Sequence, residues 1–552
     1  LFQGTFRHSQ LLSANVAIKL SGEYFAGDDW EYVDPVEAAN REDAIEAGAD
    51  PDTLRIGRRD FGIEMAAGEA RLDARVGDGG LLVFSGGAAR TTNVDQANTV
   101  GGVQAQDWSN AFLQTRFEHG RLNVNAFWNT TDSGDTYALR TGLPIVDQSR
   151  VLAIQARHGT AIAGRHEILY GVDARRSDPR TGGTIHGANE DDDITHELGA
   201  YLTGTSTLSS QWDLVGAVRV DYHDRINDLA VSPRLGVVYK PTPEHAIRLT
   251  WNKAFSSPSA NDLFIDFPVD ELNGMAVRLR GIPQDGYQFT RQDGTYLMRS
   301  PMTPGGVAEA LPADATLTWD TFFPQYLAML EQVDPDIADQ LRGLSAPDAA
   351  QVATDLGILD PRAESPAEAF VPLQGSDIDD VPGDSRVITD AIELGYKGRL
   401  GSSVSVAVDV YRTHVTDFYG ELYAVTPSVM FDEETLSSYF ETEGGLSPEE
   451  AAFAAGLAGM IPVGTVAPDG QTTADVLMAN RQGGEYTVWG SDFAVAWRIS
   501  QTVELNGTYS WISENMFLDQ PQVGVMCLSV PLNKGSLGLQ LRDDRRGFDG
   551  YV

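Results

Sequence analysis

From Val231 to Asn252 the chain takes apolar and polar residues in turn. Val231, Pro233, Leu235, Val237 and Tyr239 share one parity, and Ser232, Arg234, Gly236 and Lys240 share the other. Pro241, Thr242, Pro243, Glu244 and His245 supply turn chemistry, because proline fixes φ and removes a ladder donor. Alternation resumes with Ile247, Leu249 and Trp251 against Arg248, Thr250 and Asn252. A period of two predicts a strand with one apolar and one polar face.

The same pattern recurs at Leu12–Phe25, Phe61–Val76, Leu81–Arg90, Trp108–Phe117, Arg121–Asn129, Arg150–His158, His166–Val172, His196–Gly204 and Gln211–His223. It returns at Val387–Lys397, Val404–Arg412, Tyr486–Trp497, Val503–Trp511 and Lys534–Leu541. Roughly seventeen or eighteen strands follow from this pattern. Short turns (77–80, 118–120, 159–165, 206–210, 241–245, 398–403, 498–502) interleave with longer, mostly acidic loops. The Asp28–Asp50 loop has a short helix predicted in its second half. Such one-sided loops suit a large antiparallel transmembrane β-barrel, with short turns at one rim and long loops at the other. A propeller would need a repeat of fixed period, and a sandwich would need one dry face. Trp108, Trp128, Tyr170, Tyr222, Trp251, Trp489 and Trp511 lie near strand ends, where interfacial girdles form.

Two segments break the pattern, and residues 265–386 and 417–484 are assigned as large extracellular cap insertions within a barrel domain spanning 1–552. Phe322, Phe323, Tyr326, Leu327, Leu330 and Val333 have helical spacing, and Leu344–Ile358 predicts another helix after Pro347. Ser447 and Glu450 form a capping-box pattern with Pro448 at the first helical position. Loops this long are usually functional.

The chain has 552 residues, with 79 acidic against 40 basic and a formal net charge of −39. That excess opposes a nucleic-acid partner, which calls for a basic patch. One cysteine, Cys527, excludes an intrachain disulfide. No run approaches the ~18 consecutive apolar residues of a membrane helix, a test that does not bear on barrels.

Enzyme chemistry finds no support. Phosphate-loop, nucleophile-elbow and zinc-helix patterns are missing, and the nine histidines are scattered. No catalytic residue and no cofactor is assigned. Asp191, Asp192 and Asp193 are a calcium candidate, set against a plain solvated loop, and they lack EF-hand spacing. Arg71, Arg75, Arg219, Arg234, Arg248, Lys397 and Arg412 are assigned to the polar strand face, hence to the lumen of a barrel. Asp73, Asp213, Asp221 and Glu393 are placed to pair with them, and internal pairing is favoured over substrate contact. Trp319, Phe322, Phe323 and Tyr326 are either an aromatic platform for a ligand or the insertion's own small core.

Several stretches also resemble one family. SPRLGVVYKPTPEHAIRLTWNKAFSSPSANDLF (Ser232–Phe264) resembles the barrel hairpin of TonB-dependent outer-membrane receptors, with Ser256 where that family usually has arginine. GDDWEYVDPVE resembles its first large extracellular loop. Ile392–Phe418 (IELGYKGRLGSSVSVAVDVYRTHVTDF) and Ser536–Phe548 (SLGLQLRDDRRGF) resemble further barrel strands. The resemblance implies a 22-strand barrel in the outer membrane, present here in part, without the plug and the last strands. It implies TonB-driven import of a scarce or large nutrient: an iron chelate, oligosaccharide or peptide. The partners implied are outer-membrane lipid and lipopolysaccharide, the TonB complex through the plug, and the nutrient, with a surface lipoprotein as a further partner. Two alternatives stay open: a passive porin-like channel, and a surface-binding barrel that recruits a protein.

Overall fold

The computed structural model describes residues 1–551 apart from 99–100, 364, 366–367, 374–377, 521–523 and 544–547. Two compact units emerge. One comprises Leu1–Ala260, Ser385–Gly420 and Gln482–Val552, and the other Asn261–Asp384 and Glu421–Arg481.

The first unit is a long antiparallel ladder in which each strand pairs with the next. It begins Phe2–Ser13, Val16–Asp28, Gly62–Val76, Gly80–Asn98, Gly101–His119 and Leu122–Asp132. It continues through Arg150–Ile162, His166–Asp178, Thr195–Thr207, Trp212–His223, Ile226–Thr242 and His245–Ser256. Val387–Leu400 then pairs with His245–Ser256, and Val404–Ala424 follows it. His414 Nδ1 lies 3.0 Å from Thr487 Oγ1, which sets Val476–Arg498 beside that strand. Val503–Ile512, Asn533–Asp543 and Phe548–Tyr551 extend the ladder. Tight turns close the short connections: Gly77 and Gly79 take φ of 55° and 86°, a region open to glycine at no steric cost.

Sequence patterning misses the first strand, because FQGTFRHSQLLS alternates only over its first half. The chain instead forms a hairpin, with Leu11 opposite Ala17 and Phe2 opposite Ala26. The helix expected in the first long loop is present as Pro35–Glu46, and Asp34 caps it by accepting from the Val36 and Glu37 amides.

The second unit has its own apolar core. Helices Trp319–Val333, Pro335–Leu341, Glu433–Thr442 and Pro448–Gly459 pack into it. Ser447 and Glu450 form the expected capping box, with Pro448 in the first turn. The expected helix over Leu344–Ile358 is corrected. Asp348 Oδ1 accepts from the Ala350 and Gln351 amides at 2.9 and 3.1 Å, so a turn forms after Pro347. Thr354–Leu359 then becomes a strand against Ser428–Phe431. It belongs to a six-stranded sheet ordered Leu311–Pro312, Leu297–Arg299, Gly464–Val466, Ser428–Phe431, Thr354–Leu359 and Phe370–Pro372. Most of these strands are too short to leave a periodic signal.

Candidate functional site

The ladder's two faces differ in chemistry, and the register shows how. Leu214, Val237, Leu249, Leu394 and Val410 stand opposite one another across five successive strands. Each is between 37% and 53% exposed. Leu198, Leu202, Val218, Val220, Val231, Leu235 and Ile392 share this apolar, exposed face. An uncovered apolar band of this extent needs a non-aqueous medium or a partner against it.

One residue along each strand, the opposite face is ionic. Arg219 donates to both Asp173 carboxylate oxygens at 2.8 and 2.9 Å, and through Nε to Asp221 at 2.9 Å. Arg248 bridges Glu393 and Asp409, the latter at 3.2 Å. Arg71 meets Asp73 at 2.6 Å, and Lys240 meets Asp213 at 2.5 Å. Arg71, Arg75, Arg219, Arg234, Arg248 and Lys397 all fall on this polar face by register. Arg412 does not. It stands opposite Ile392 on the face that carries Leu394 and Val410, so its lumen assignment is corrected. Past Val410 that face turns polar: His414 also lies on it, and Trp251, opposite Ile392, donates to Asp390 at 3.1 Å. An indole at such a boundary suits an interfacial girdle.

The arginine pairs are partly hydrated, with the Arg219 side chain 36% exposed, so each bridge contributes modestly. Arg219→Ala should nonetheless cost about 1 kcal/mol, because Asp173 and Asp221 then face each other across Gly199 without a cation. Urea unfolding of the detergent-solubilised protein measures this, and Asp173→Asn in the same background should recover part of the loss.

The aromatic platform is also corrected. Trp319, Phe322, Phe323 and Tyr326 are only 2–5% exposed. Trp319 stacks on Phe323 at 4.2 Å between centroids, and the Tyr326 hydroxyl donates to the Ala454 carbonyl at 2.6 Å. These rings contact protein on all sides, because the spacing that builds a platform also builds a helix's core-facing stripe. Burial pushes the Tyr326 hydroxyl well above the usual tyrosine range, consistent with a satisfied core donor.

In the loop before Thr195, the three consecutive aspartates go separate ways. Asp192 holds Arg225 at 2.8 and 3.1 Å, and Asp193 lies 2.7 Å from His186 Nδ1, with both side chains of that pair buried. Asp191 is exposed. Among the described residues no three His, Cys, Asp or Glu side chains converge as metal ligands. The neighbouring Glu190 organises this loop instead. It accepts from the amides of Thr181, Gly182 and Gly183 at 2.7, 2.8 and 3.1 Å, and from the Thr181 hydroxyl. Burial opposes ionisation of Glu190, but these hydrogen bonds outweigh it and hold the carboxyl below its ordinary value. A depressed carboxyl stabilises the fold above its unfolded pKa of about 4.3 and loses that stabilisation as pH falls through the folded value. Amide exchange in residues 180–193 should therefore accelerate below about pH 4. Glu190→Gln should exchange faster at neutral pH and lose that step.

Sequence patterning also missed a buried ionic cluster on the Pro35–Glu46 helix. Arg59 donates to Glu37 at 2.8 and 2.6 Å and also reaches Asp95 and the Tyr32 hydroxyl, with its side chain only 6% exposed. The partners lie 22 and 36 residues from Arg59, beyond any local spacing rule. The cluster pins this loop to the strand that carries Asp95.

The profile of the family described as TonB dependent receptor-like, beta-barrel, matches residues 47–301. Among solved structures, a mutant of the ferric enterobactin receptor of Pseudomonas aeruginosa is similar over 98% of this chain and 62% of its own, with TM-score 0.51 and 11% identity. The FrpB iron transporter of Neisseria meningitidis is similar over 99% and 65%, with TM-score 0.50 and 10% identity. The siderophore receptor PirA of Acinetobacter baumannii is similar over 98% and 63%, with TM-score 0.51 and 10% identity. At such identity the likeness is one of fold, and this chain spans under two thirds of each structure. No curated protein matches the chain by sequence.

Proposed function

We propose that this chain, recognised over residues 47–301 as a TonB-dependent receptor β-barrel, forms the outer-membrane barrel and ligand-capturing part of an energised importer. The observation that carries this is the two-faced ladder. Its exposed apolar rows fit lipid, and its ion-paired rows fit a hydrated or protein-filled lumen, where charge is tolerated. The unit of Asn261–Asp384 and Glu421–Arg481 captures the nutrient, since among the described residues it forms a separately cored body within long connections. Of the three cargo classes, an iron chelate is favoured, because the similar structures are named as a ferric enterobactin receptor, an iron transporter and a siderophore receptor. TonB acts through a plug, and lipopolysaccharide surrounds the barrel. Bound ligand favours a loop-closed state only as far as it binds that state better. No covalent step is assigned to any residue.

Membrane fractionation and uptake test this. The full-length protein should resist carbonate washing and leave the outer membrane only with detergent. Uptake of a radioactive ferric chelate should stop when a protonophore collapses the proton gradient. Release by carbonate overturns the barrel assignment. Protonophore-insensitive flux would favour the passive channel, and capture of a protein with no uptake would favour the surface-binding alternative.

A further inference from the structure

The first long loop holds its largest apolar side chains where nothing covers them. Trp30 is 88% exposed and Val33 80%, and the next most exposed tryptophan, Trp489, is 51% exposed. Trp128, Trp212, Trp489, Trp497 and Trp511 lie about half-covered within their strands, as girdle residues do. Trp30 stands clear, two residues beyond the strand Val16–Asp28.

The tip is nonetheless fixed. The Asp29 amide donates to the Phe61 carbonyl at 2.8 Å, and the Trp30 amide donates to Asp29 Oδ1 at 2.7 Å. The Tyr32 ring lies 4.3 Å from the Arg59 guanidinium and meets the Phe61 ring edge-on at 5.9 Å. An exposed tryptophan held in place is an anchor for a partner, because a rigid aromatic loses little entropy on binding.

Charge selects that partner. Asp28, Asp29 and Glu31 are exposed on either side of Trp30. From residue 28 to 61 there are eleven acidic and four basic residues, and the four arginines are engaged elsewhere. Arg41 donates to the Pro51, Leu54 and Ile56 carbonyls, Arg58 donates to the Asp52 carbonyl, and Arg55 lies over the Tyr137 ring. In the ionic cluster, Arg59 and Arg140 face three carboxylates: Glu37, Asp95 and, 4.0 Å from Arg140, Asp34. One negative charge is left over, and Asp95 Oδ1 is enclosed without a hydrogen-bond donor among the described residues. An indole set in uncompensated negative charge suits a guanidinium, which stacks on aromatic faces and is weakly hydrated. The same charge repels anionic headgroups.

We propose that the tip at 28–34 docks an arginine-bearing segment of a partner protein. A guanidinium lies over Trp30 beside the Asp29 carboxylate, and the segment's apolar part covers Val33. This goes beyond nutrient import and does not depend on it. The test is fluorine NMR of the full-length protein in detergent, labelled with 5-fluorotryptophan. The probe is a hexapeptide of alternating arginine and alanine, compared with its lysine and glutamate counterparts. The Trp30 resonance, assigned by its loss in Trp30→Leu, should shift with the arginine peptide, less with lysine and not with glutamate. Affinity for the arginine peptide should fall about fivefold in Trp30→Leu, and about as far in Asp29→Asn with Glu31→Gln. Glu441→Gln with Glu443→Gln removes as much charge elsewhere and should match the wild type. Uptake of a ferric chelate should be unchanged in Trp30→Leu. A Trp30 resonance indifferent to the arginine peptide, full affinity in either tip variant, or an equal loss in the control pair would overturn the docking surface. Broadening of that resonance by spin-labelled lipid in vesicles would overturn it in favour of the membrane interface. Lost chelate uptake in Trp30→Leu would overturn it in favour of nutrient capture.

Discussion

Replacing Trp319 by alanine should unfold the unit of Asn261–Asp384 and Glu421–Arg481 while leaving the ladder paired. Trp319 is 3% exposed and touches Phe323 of its own helix at 4.2 Å and rings from two other elements of its core, Phe431 at 5.8 Å and Tyr439 at 6.1 Å. Removing such an indole costs about 3–5 kcal/mol through lost transfer energy and the cavity left behind. That is a large share of the ~5–15 kcal/mol that stabilises a typical domain. Limited proteolysis should then cut within both segments at temperatures where the wild type resists. The heat-dependent gel shift of the ladder should persist. Phe453→Ala is the control, since Phe453 is 45% exposed and its loss should stay within about 0.5 kcal/mol. If Trp319→Ala is as protease-resistant as the control, these rings are not the centre of a core.

The second large effect is functional. Excising both inserted segments, with short Gly/Ser bridges from residue 260 to 385 and from 420 to 482, should leave an assembled ladder that no longer captures ligand. Excising 270–385 alone is a different experiment. It would strip Val429, Phe431, Leu436 and Phe440 of their core partners, and an apolar surface of that kind aggregates. Ligand-induced tryptophan fluorescence and uptake by whole cells read the outcome. Uptake unchanged in the double excision would remove this unit from ligand capture.

The ladder was legible in the sequence after its first strand because most of its strands are long and half-buried, so a period of two survives over eight or more residues. Turn chemistry at Pro241–His245 and Gly77–Gly80 then fixed where strands reverse. Arg412 was misplaced for a physical reason. The strand VSVAVDVYR keeps one parity, but its apolar face ends at Val410, and a polar residue beyond that point mimics a change of face. The Leu344–Ile358 helix failed because Asp348 offers its backbone a turn that competes with helix initiation.

Local order of hydrophobic and polar residues by itself determined the barrel-type ladder after its first strand, its register of faces apart from Arg412, a helix within Asp28–Asp50 and the helix capped by Ser447. Only the tertiary structure decided which groups are used up. It buried Trp319, Phe322, Phe323 and Tyr326, sent Asp192 to Arg225 and Asp193 to His186, joined Arg59 to Glu37 and Asp95, and left Trp30 uncovered. Periodicity reports which way a side chain points, whereas contacts between residues far apart in the chain decide what it meets there.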